Sequence, residues 1–422
     1  MEKFAAGLLY TGLQAGDRIL ICGNNHSQLI IATLGAARAG MVFSLASPNF
    51  SQASQLGHLL KLGQFRALLM FGQSDKANQL LLAIAPEMQK GQRGNLKLKD
   101  LPNLTHVIYA DEDHRHAATF TLSDIFTKSS KDGIGKLLDT DWDCHQLGAI
   151  QFTAGSTGEP KAVGLTHYQL INGCRIAAQA IDIKRETVLC CALPLFRIPV
   201  FALTIFAPFL IESRSVFPEP SPLPRLLFKS INKNQCATLL TNAAALRLLL
   251  KTSALTQGQK CSLPSIGTVI LLGERVSADL LTAIEAVMPN AKGIAVGMLS
   301  TELGSIPILS DNTTNLVKAV GRVLNGYEHW KMERLMATSD MVRGVQVVQE
   351  KPGAPVIGVL VPKSFNTTTV ADLKQEMIAL CREQKLNPPD QIAIVQDFPR
   401  VNTRIQKYKL RDDLRARKLS LY

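Results

Sequence analysis

Between Thr153 and Lys161 the chain reads Thr-Ala-Gly-Ser-Thr-Gly-Glu-Pro-Lys, directly after the apolar run Gly148 to Phe152. Glycines let a backbone turn tightly and bring its N–H groups close to phosphate oxygens. Hydroxyls at Thr153, Ser156 and Thr157 add donors, and Lys161 adds a point charge. A triphosphate or pyrophosphate suits such a cradle. The spacing is not that of a Walker loop, because Lys161 follows Pro160 and only Ser156 and Thr157 separate Gly155 from Gly158. The bland alternative is a chance turn of the same composition.

A cradle of this kind needs a strand to enter it and a scaffold around it. Short runs rich in β-branched residues alternate with helical patterns: Arg18 to Cys22, Ser27 to Ala39, Val42 to Leu45, Gln52 to Leu62, Ala67 to Phe71. The rhythm recurs through the strands His106 to Ala110, Ala149 to Thr153, Ala237 to Thr241, Thr268 to Leu272 and Gly293 to Val296. Helices are expected at Tyr168 to Ala180, Ala243 to Lys251 and Ala278 to Val287. Such alternation requires crossover helices over mostly parallel sheets, with ligands beyond the carboxyl ends of the strands. After about Trp330 the pattern changes to a short helix, strands at Gly344 to Gln349 and Val356 to Val361, a helix from Val370 to Gln384, and a strand from Gln391 to Val395. The fold class expected is α/β, with a large N-terminal domain over 1–330 and a small α+β domain over 331–422. The Lys/Gly/Gln-rich stretch Gln89 to Asp100 and the Pro-rich stretch Pro218 to Pro224 read as surface connections.

Composition bounds the function. Hydrophobic residues are 46% and charged residues 19% of the 422, which is globular, and no apolar run is long enough to span a bilayer. The eight cysteines show no CxxC pair and no regular spacing, so neither a zinc site nor a disulfide framework is indicated. A net charge of +12 is spread along the chain, with modest clusters at Lys90 to Lys99 and Arg400 to Lys418. No nucleic-acid module or interleaved aromatics accompany it, so solvated surface, and polyanionic small molecules that profit from it, are the better reading. The N-terminus lacks the Arg-rich, acid-poor character of a transit peptide, which taken alone suggests the cytoplasm.

The stretch at Thr153 to Lys161 resembles the phosphate loop Thr-Ser-Gly-Thr-Thr-Gly-x-Pro-Lys-Gly of the adenylate-forming (AMP-binding) superfamily, departing only at Ala154, Ser156 and Ala162. That family includes acyl-CoA synthetases, luciferases and peptide-synthetase adenylation domains. Further landmarks occur in family order: Ala5-Ala6-Gly7-Leu8-Leu9 with Gly16-Asp17-Arg18, Ile150-Gln151-Phe152, Leu165-Thr166-His167-Tyr168, Pro194-Leu195-Phe196, Ala319 to Val323, and Ile405 to Arg411. Among branches of the family, the chain is most similar to medium-chain acyl-CoA synthetases, through the terminal Ile-Gln-Lys-Tyr-Lys-Leu-Arg and Val345-Gln346-Val347-Val348.

The resemblance implies ATP, Mg2+ and CoA as reactants and cofactor, a fatty acid as co-substrate, no nucleic-acid partner, and a mitochondrial location. It implies nucleotide binding by Thr153, Gly155, Ser156, Thr157, Gly158, Lys161, Gly273, Glu274 and Gly297. Lys161, Thr301, Glu302 and Arg404 would carry catalysis, with Glu302 holding Mg2+, and Phe196 and Arg197 would stand at the acyl pocket.

Several positions depart from the family. Val296 to Glu302 represents its Tyr-Gly-x-Thr-Glu loop without the aromatic, and Leu272-Gly273-Glu274 represents Gly-Gly-x. Arg197 replaces a His, Arg404 replaces the adenylation Lys, and the ribose Asp and hinge segments are missing after Val323. Thr338 to Asp340 reads instead as the turn before the Val345 strand. Two functions therefore compete: a fatty acid–CoA ligase working through an acyl-adenylate, and a catalytically inactive paralogue that binds nucleotide or fatty acid.

Overall fold

The computed structural model describes the chain except residues 72–74, 111–115, 154–159, 219–222, 256–261, 274–275, 311–321, 324–331, 333–334, 350–354, 366–368, 384–385, 402–403 and 406. Two compact bodies are present: residues 1–153 with 161–321, and residues 154–160 with 322–422.

The first body is built on two mostly parallel sheets. The first sheet has strands β1 (Arg18–Cys22), β2 (Val42–Ala46), β3 (Ala67–Met70), β4 (His106–Tyr109), β5 (Thr119–Thr121), β6 (Leu147–Phe152) and β7 (Ala162–Thr166). Their order is β5-β4-β3-β1-β2-β6-β7, with only β7 antiparallel to its neighbour. The second sheet carries β8 (Val188–Cys191), β9 (Arg214–Val216), β10 (Thr238–Thr241), β11 (Thr268–Leu272), β12 (Gly293–Ser300) and β13 (Ser305–Leu309) in the order β13-β12-β11-β10-β8-β9. Here only β13 runs antiparallel. The central strands are continuous apolar runs, as helices on both faces require: Ile19 to Cys22 and Ala67 to Met70 have no exposed surface.

The crossovers are helical. The N-terminal helix α1 (Glu2–Tyr10) packs on α2 (Ser27–Arg38), α5 (Leu122–Thr127) and α6 (Lys131–Leu138). Between them, α3 (Ala53–Gly63) and α4 (Asp75–Ile84) cover the other face, where Leu56, Leu60, Leu80 and Leu81 meet Leu20, Leu68 and Met70. The loop from Gln89 to Asp100 is no mere surface connection, because Leu96 and Leu98 are buried in that same cluster. In the second half, α7 (His167–Ala180) is followed by a continuous helical run: α8 (Ile198–Phe201), a π-helical turn over Ala202–Phe206, and α9 (Ala207–Ile211). The helices α10 (Pro224–Asn234), α11 (Ala243–Leu255) and α12 (Ala278–Val287) complete this body. Pro224 is the first residue of α10, where its missing N–H costs nothing, so the Pro-rich stretch ends by starting a helix.

Local chemistry sets these boundaries. Thr166 accepts from Gln169 N while the Gln169 side chain accepts from Thr166 N, a capping box that starts α7 where β7 ends. Thr121 and Asp124 do the same for α5.

In the second body, β14 (Val342–Gln349) pairs antiparallel with β15 (Val356–Pro362), which pairs parallel with β16 (Gln391–Ile394). One face is covered by α13 (Val370–Glu383), whose Leu373, Met377 and Cys381 recur at helical spacing against Val345, Val347 and Leu360. The other face meets Phe398 and Leu410, the latter from α14 (Lys407–Arg415). The sequence expectation of an α/β fold with mostly parallel sheets and a small C-terminal sheet domain is met.

Candidate functional site

The strand entering the cradle and the strand leaving it form the antiparallel hairpin β6–β7, with Phe152 paired to Ala162. The backbone pairing continues one step beyond, where Thr153 N–H donates to the Lys161 carbonyl at 2.9 Å. Lys161 N–H in turn donates to Thr153 Oγ1 at 3.2 Å. Thr153 and Lys161 therefore close the neck of the loop. Gly155, Ser156, Thr157 and Gly158 lie between them, outside the described residues.

A second set of candidates lies at the carboxyl edge of β11 and β12. Gly273 has φ of +85°, a conformation that glycine adopts without strain, and its N–H donates to the Gly297 carbonyl at 3.1 Å. Its Cα faces open space, whereas a Cβ on Gly297 would meet Leu272, Ile306 and Leu309. Glu274 lies outside the described residues.

The segment Val296 to Glu302, read from sequence as a loop, is strand as far as Ser300. Gly297, Met298 and Ser300 find backbone partners on β13, and that pairing extends the strand past the parallel edge. Thr301 and Glu302 then fall in the tight turn that ends at Gly304, whose φ is +58°. Glu302 is exposed, and its Oε2 accepts from Ser300 Oγ at 3.2 Å. Gly304 sits against Leu165 and Leu170, and Ser305 Oγ donates to the Gly173 carbonyl at 2.8 Å. Leu165 is four residues beyond Lys161, about 13 Å along an extended strand. The turn is thus seated on the far end of β7 and on α7, and the described residues do not bring it to the neck.

Phe196 and Arg197 occupy the segment between β8 and α8. Arg197 is exposed, and its carbonyl accepts the N–H groups of Val200 and Phe201 as the helix begins. Two polar side chains from the first sheet grip this segment. Asn25, in the loop after β1 and 7% exposed, donates from Nδ2 to the Leu193 carbonyl at 2.9 Å. Its Oδ1 accepts from Leu195 N–H at 2.8 Å. Gln151, on β6 and 8% exposed, accepts through Oε1 from Ile198 N–H at 2.8 Å. Asn25 carried no signal in the sequence beyond its place after a strand, and Gln151 only that of a family landmark.

Arg404 lies in the second body, where its backbone pairs with Val401 in a two-stranded ribbon of Arg400–Val401 and Arg404–Ile405. Asp340 lies in the turn before β14, paired with Lys363 Nζ at 3.0 Å.

Among the described residues no group of three or more His, Cys, Asp or Glu side chains could hold a metal. Magnesium in nucleotide sites keeps its waters and takes only one or two carboxylates beside substrate phosphates, so a lone exposed Glu302 fits that use and no other. Cys174 and Cys191 are unfit as nucleophiles, because burial pushes both up to about 12.

The AMP-binding enzyme model matches residues 1–330, most of the chain. The chain belongs to the AMP-binding enzyme family. Among curated relatives, the mitochondrial medium-chain acyl-CoA ligase ACSF2 of Bos taurus is 34% identical over 193 residues, 44% of this chain and 31% of that protein. Its Homo sapiens counterpart is 33% identical over the same extent. The match thus spans about a third of the length of these relatives. Among solved structures, the anthranilate CoA ligase AuaEII in complex with anthranoyl-AMP superposes with a TM-score of 0.63 at 13% identity, covering 99% of this chain and 91% of that one. ATP-bound MatB from Rhodopseudomonas palustris gives 0.59 at 16% identity, with 97% and 91% covered. At these identities the superpositions speak for the fold. Among the described residues no helix is long and apolar enough to cross a membrane.

Proposed function

We propose that this member of the AMP-binding enzyme family is an acid–thiol ligase that activates a medium-chain fatty acid. A carboxylate oxygen attacks the α-phosphorus of ATP, giving an acyl-adenylate and releasing pyrophosphate. The thiolate of CoA then attacks the acyl carbon, and AMP leaves. The observation that carries this reading is the Thr153–Lys161 neck: the Thr153 hydroxyl and the Lys161 backbone tie together the base of a loop that has a phosphate-binding composition.

In this reading Lys161 offsets charge on the triphosphate, and Thr153, Ser156 and Thr157 donate to its oxygens. The backbone of Gly155 and Gly158 approaches the phosphates, and Gly273, Glu274 and Gly297 serve the nucleoside side. Phe196 and Arg197 border the acid, with Thr301 assisting Glu302. Magnesium would supply charge neutralisation at the phosphates when bound, and Glu302 is the carboxylate that the family resemblance offers to hold it, although the described residues seat its turn on the far end of β7. Arg404 takes the part of the family's adenylation lysine, within a small domain over 331–422 that follows an adenylation domain over 1–330. The names of the curated relatives support a mitochondrial setting.

A second reading, a nucleotide- or fatty-acid-binding protein without turnover, is favoured by one observation: Leu272 fills the space over Gly297 where a glycine would leave room for a base. Carboxylate-dependent ATP–pyrophosphate exchange with acids from acetate to palmitate separates the two. Exchange that peaks at medium chains and vanishes in Lys161→Ala supports the ligase. No exchange with any acid, from a folded protein, selects the second reading.

A further inference from the structure

We propose that Asn25 and Gln151 are positioning residues that set the acid side of the site against the stem of the phosphate loop. The inference rests on the ligase reading for its consequence and on geometry for its cause.

Asn25 uses both ends of its side-chain amide, donating to Leu193 O at 2.9 Å and accepting from Leu195 N at 2.8 Å. An amide used this way acts as a peptide unit, adding one rung of backbone-like pairing between the loop after β1 and a segment 168 and 170 residues away. Gln151 holds the other flank by accepting from Ile198 N–H at 2.8 Å. That N–H is the first of a helical run and has no partner within the helix. Phe196 and Arg197 are the two residues left between the anchors. The Leu195 side chain has no exposed surface and Ile198 has none, so the segment is sunk on both sides of them.

The stem matters because of strand alternation. Side chains two apart on a strand share a face, so Gln151 and Thr153 project to the same side, while Phe152 turns the other way to pack edge-on against Phe65 at 6.0 Å. The residue that grips the acid-side segment is therefore two steps from the residue that closes the phosphate-loop neck. The remaining amide of Gln151 is not idle: Nε2 donates to the Phe152 carbonyl at 3.2 Å, which fixes the direction of Oε1. Neither side chain is exposed enough to touch a ligand as a first requirement; each acts through the backbone it holds.

The experiment measures exchange kinetics and hydrogen exchange on the full chain with Asn25→Ala, Gln151→Met and Gln151→Glu. Gln151→Met keeps size and loses the acceptor, whereas Gln151→Glu keeps the acceptor for Ile198. The proposal expects KM for the fatty acid to rise about tenfold in Gln151→Met and Asn25→Ala, equivalent to about 1.4 kcal/mol, with KM for ATP little changed. It expects Gln151→Glu, which keeps the acceptor but loses the Nε2 donor to Phe152, to recover part of the loss. The amides of Leu195 and Ile198 should lose protection in Asn25→Ala and Gln151→Met respectively, with the amides of α2 unchanged. Equal rises in both KM values, tracking lost stability, would overturn it, as would unchanged kinetics. If the unsubstituted protein supports no exchange with any acid, the ligase reading is what fails. The anchors are then decided by hydrogen exchange alone, and undiminished protection at Leu195 and Ile198 overturns them.

Discussion

Leu272 lies directly across from Gly297 on the neighbouring parallel strand, and its Cδ2 sits 2.7 Å from where a Cβ on residue 297 would stand. The contact explains the glycine by packing alone: a leucine on β11 requires a bare backbone on β12. Gly297→Ala should therefore destabilise the protein by about 1–3 kcal/mol, the usual cost of overpacking. Leu272→Ala should cost about 2–5 kcal/mol as a cavity. The double variant should be less destabilised than the sum. A thermodynamic cycle from denaturant titrations measures that coupling, and additivity would refute the contact.

Gly7 and Gly57 both sit inside helices, where alanine is ordinarily better by about 1 kcal/mol. They should respond oppositely. A Cβ on Gly7 would stand 1.9 Å from the Ile125 carbonyl oxygen, and backbone does not yield, so α1 reaches α5 only through this glycine. On Gly57 the nearest atom would be Ile84 Cγ2 at 3.7 Å, an ordinary contact. Gly57→Ala should raise the melting temperature, and Gly7→Ala should lower it by several degrees; calorimetry on both gives the comparison.

His106 is 1% exposed, and burial holds its pKa below the usual 6.5 against the opposing hydrogen bond to the Thr11 carbonyl, with Arg66 adding to the lowering and Asp17 to the opposition. The neutral ring is the form held: Nε2–H donates to the Thr11 carbonyl at 3.0 Å and Nδ1 accepts from Thr105 Oγ1 at 2.8 Å. Below pH 6.5 the unfolded chain takes up a proton that the folded ring resists, so stability falls with pH until the folded pKa is passed. His167, also lowered by burial, contributes with the same sign. Urea midpoints should drop between about pH 7.5 and about pH 5. His106→Gln should shrink that drop, and an undiminished drop would place its cause elsewhere.

Periodicity and composition made the parallel strands and crossover helices legible: the spans expected at Arg18–Cys22, Thr268–Leu272 and Ala278–Val287 are the spans formed. A buried parallel strand must be apolar on both faces, and few other elements are. The helical run from Ile198 to Ile211 was hidden because Pro199 and Pro208 fall within it, yet Pro199 stands in the first turn and Pro208 follows the π-helical turn, where the Thr204 carbonyl accepts from Ser215 Oγ at 2.6 Å instead. The extension of β12 to Ser300 was hidden because Gly297 and Ser300 have weak strand propensity and the pairing of Met298 and Ser300 comes from β13. In the candidate site, the Thr153 to Lys161 motif could be read because its residues are contiguous in sequence. The grip of Asn25 on Leu195 could not, because a hydrogen bond across 170 residues leaves no local pattern.

In the ligase reading Arg404 takes the place of an adenylation lysine, and a planar guanidinium does not reproduce the compact ammonium of a lysine. Arg404→Lys should raise the rate of fatty-acid-dependent exchange by about tenfold, and Arg404→Ala should lower it. Exchange indifferent to both changes would remove Arg404 from the chemistry.

In the ligase reading, a change at Thr153 tests the nucleotide apart from the acid. Its hydroxyl accepts from Lys161 N–H at 3.2 Å while its N–H donates to the Lys161 carbonyl, so Thr153→Val keeps the backbone pair and the branched shape and loses only the oxygen. Were the hydroxyl merely closing the neck, its loss would cost about 0.5–1.5 kcal/mol of stability and leave turnover intact. If it also donates to a phosphate oxygen, a charged hydrogen bond of roughly 1.5–3 kcal/mol is lost, and kcat/KM for ATP falls by between about 10-fold and 150-fold. We expect the second result, with KM for the fatty acid unchanged and Thr153→Ser near the unsubstituted protein. That is the mirror image of the split expected for Gln151→Met, two residues away on the same face. Together the two variants test whether one strand serves both halves of the site; a Thr153→Val protein with a normal kcat/KM for ATP would reduce the neck to a structural turn.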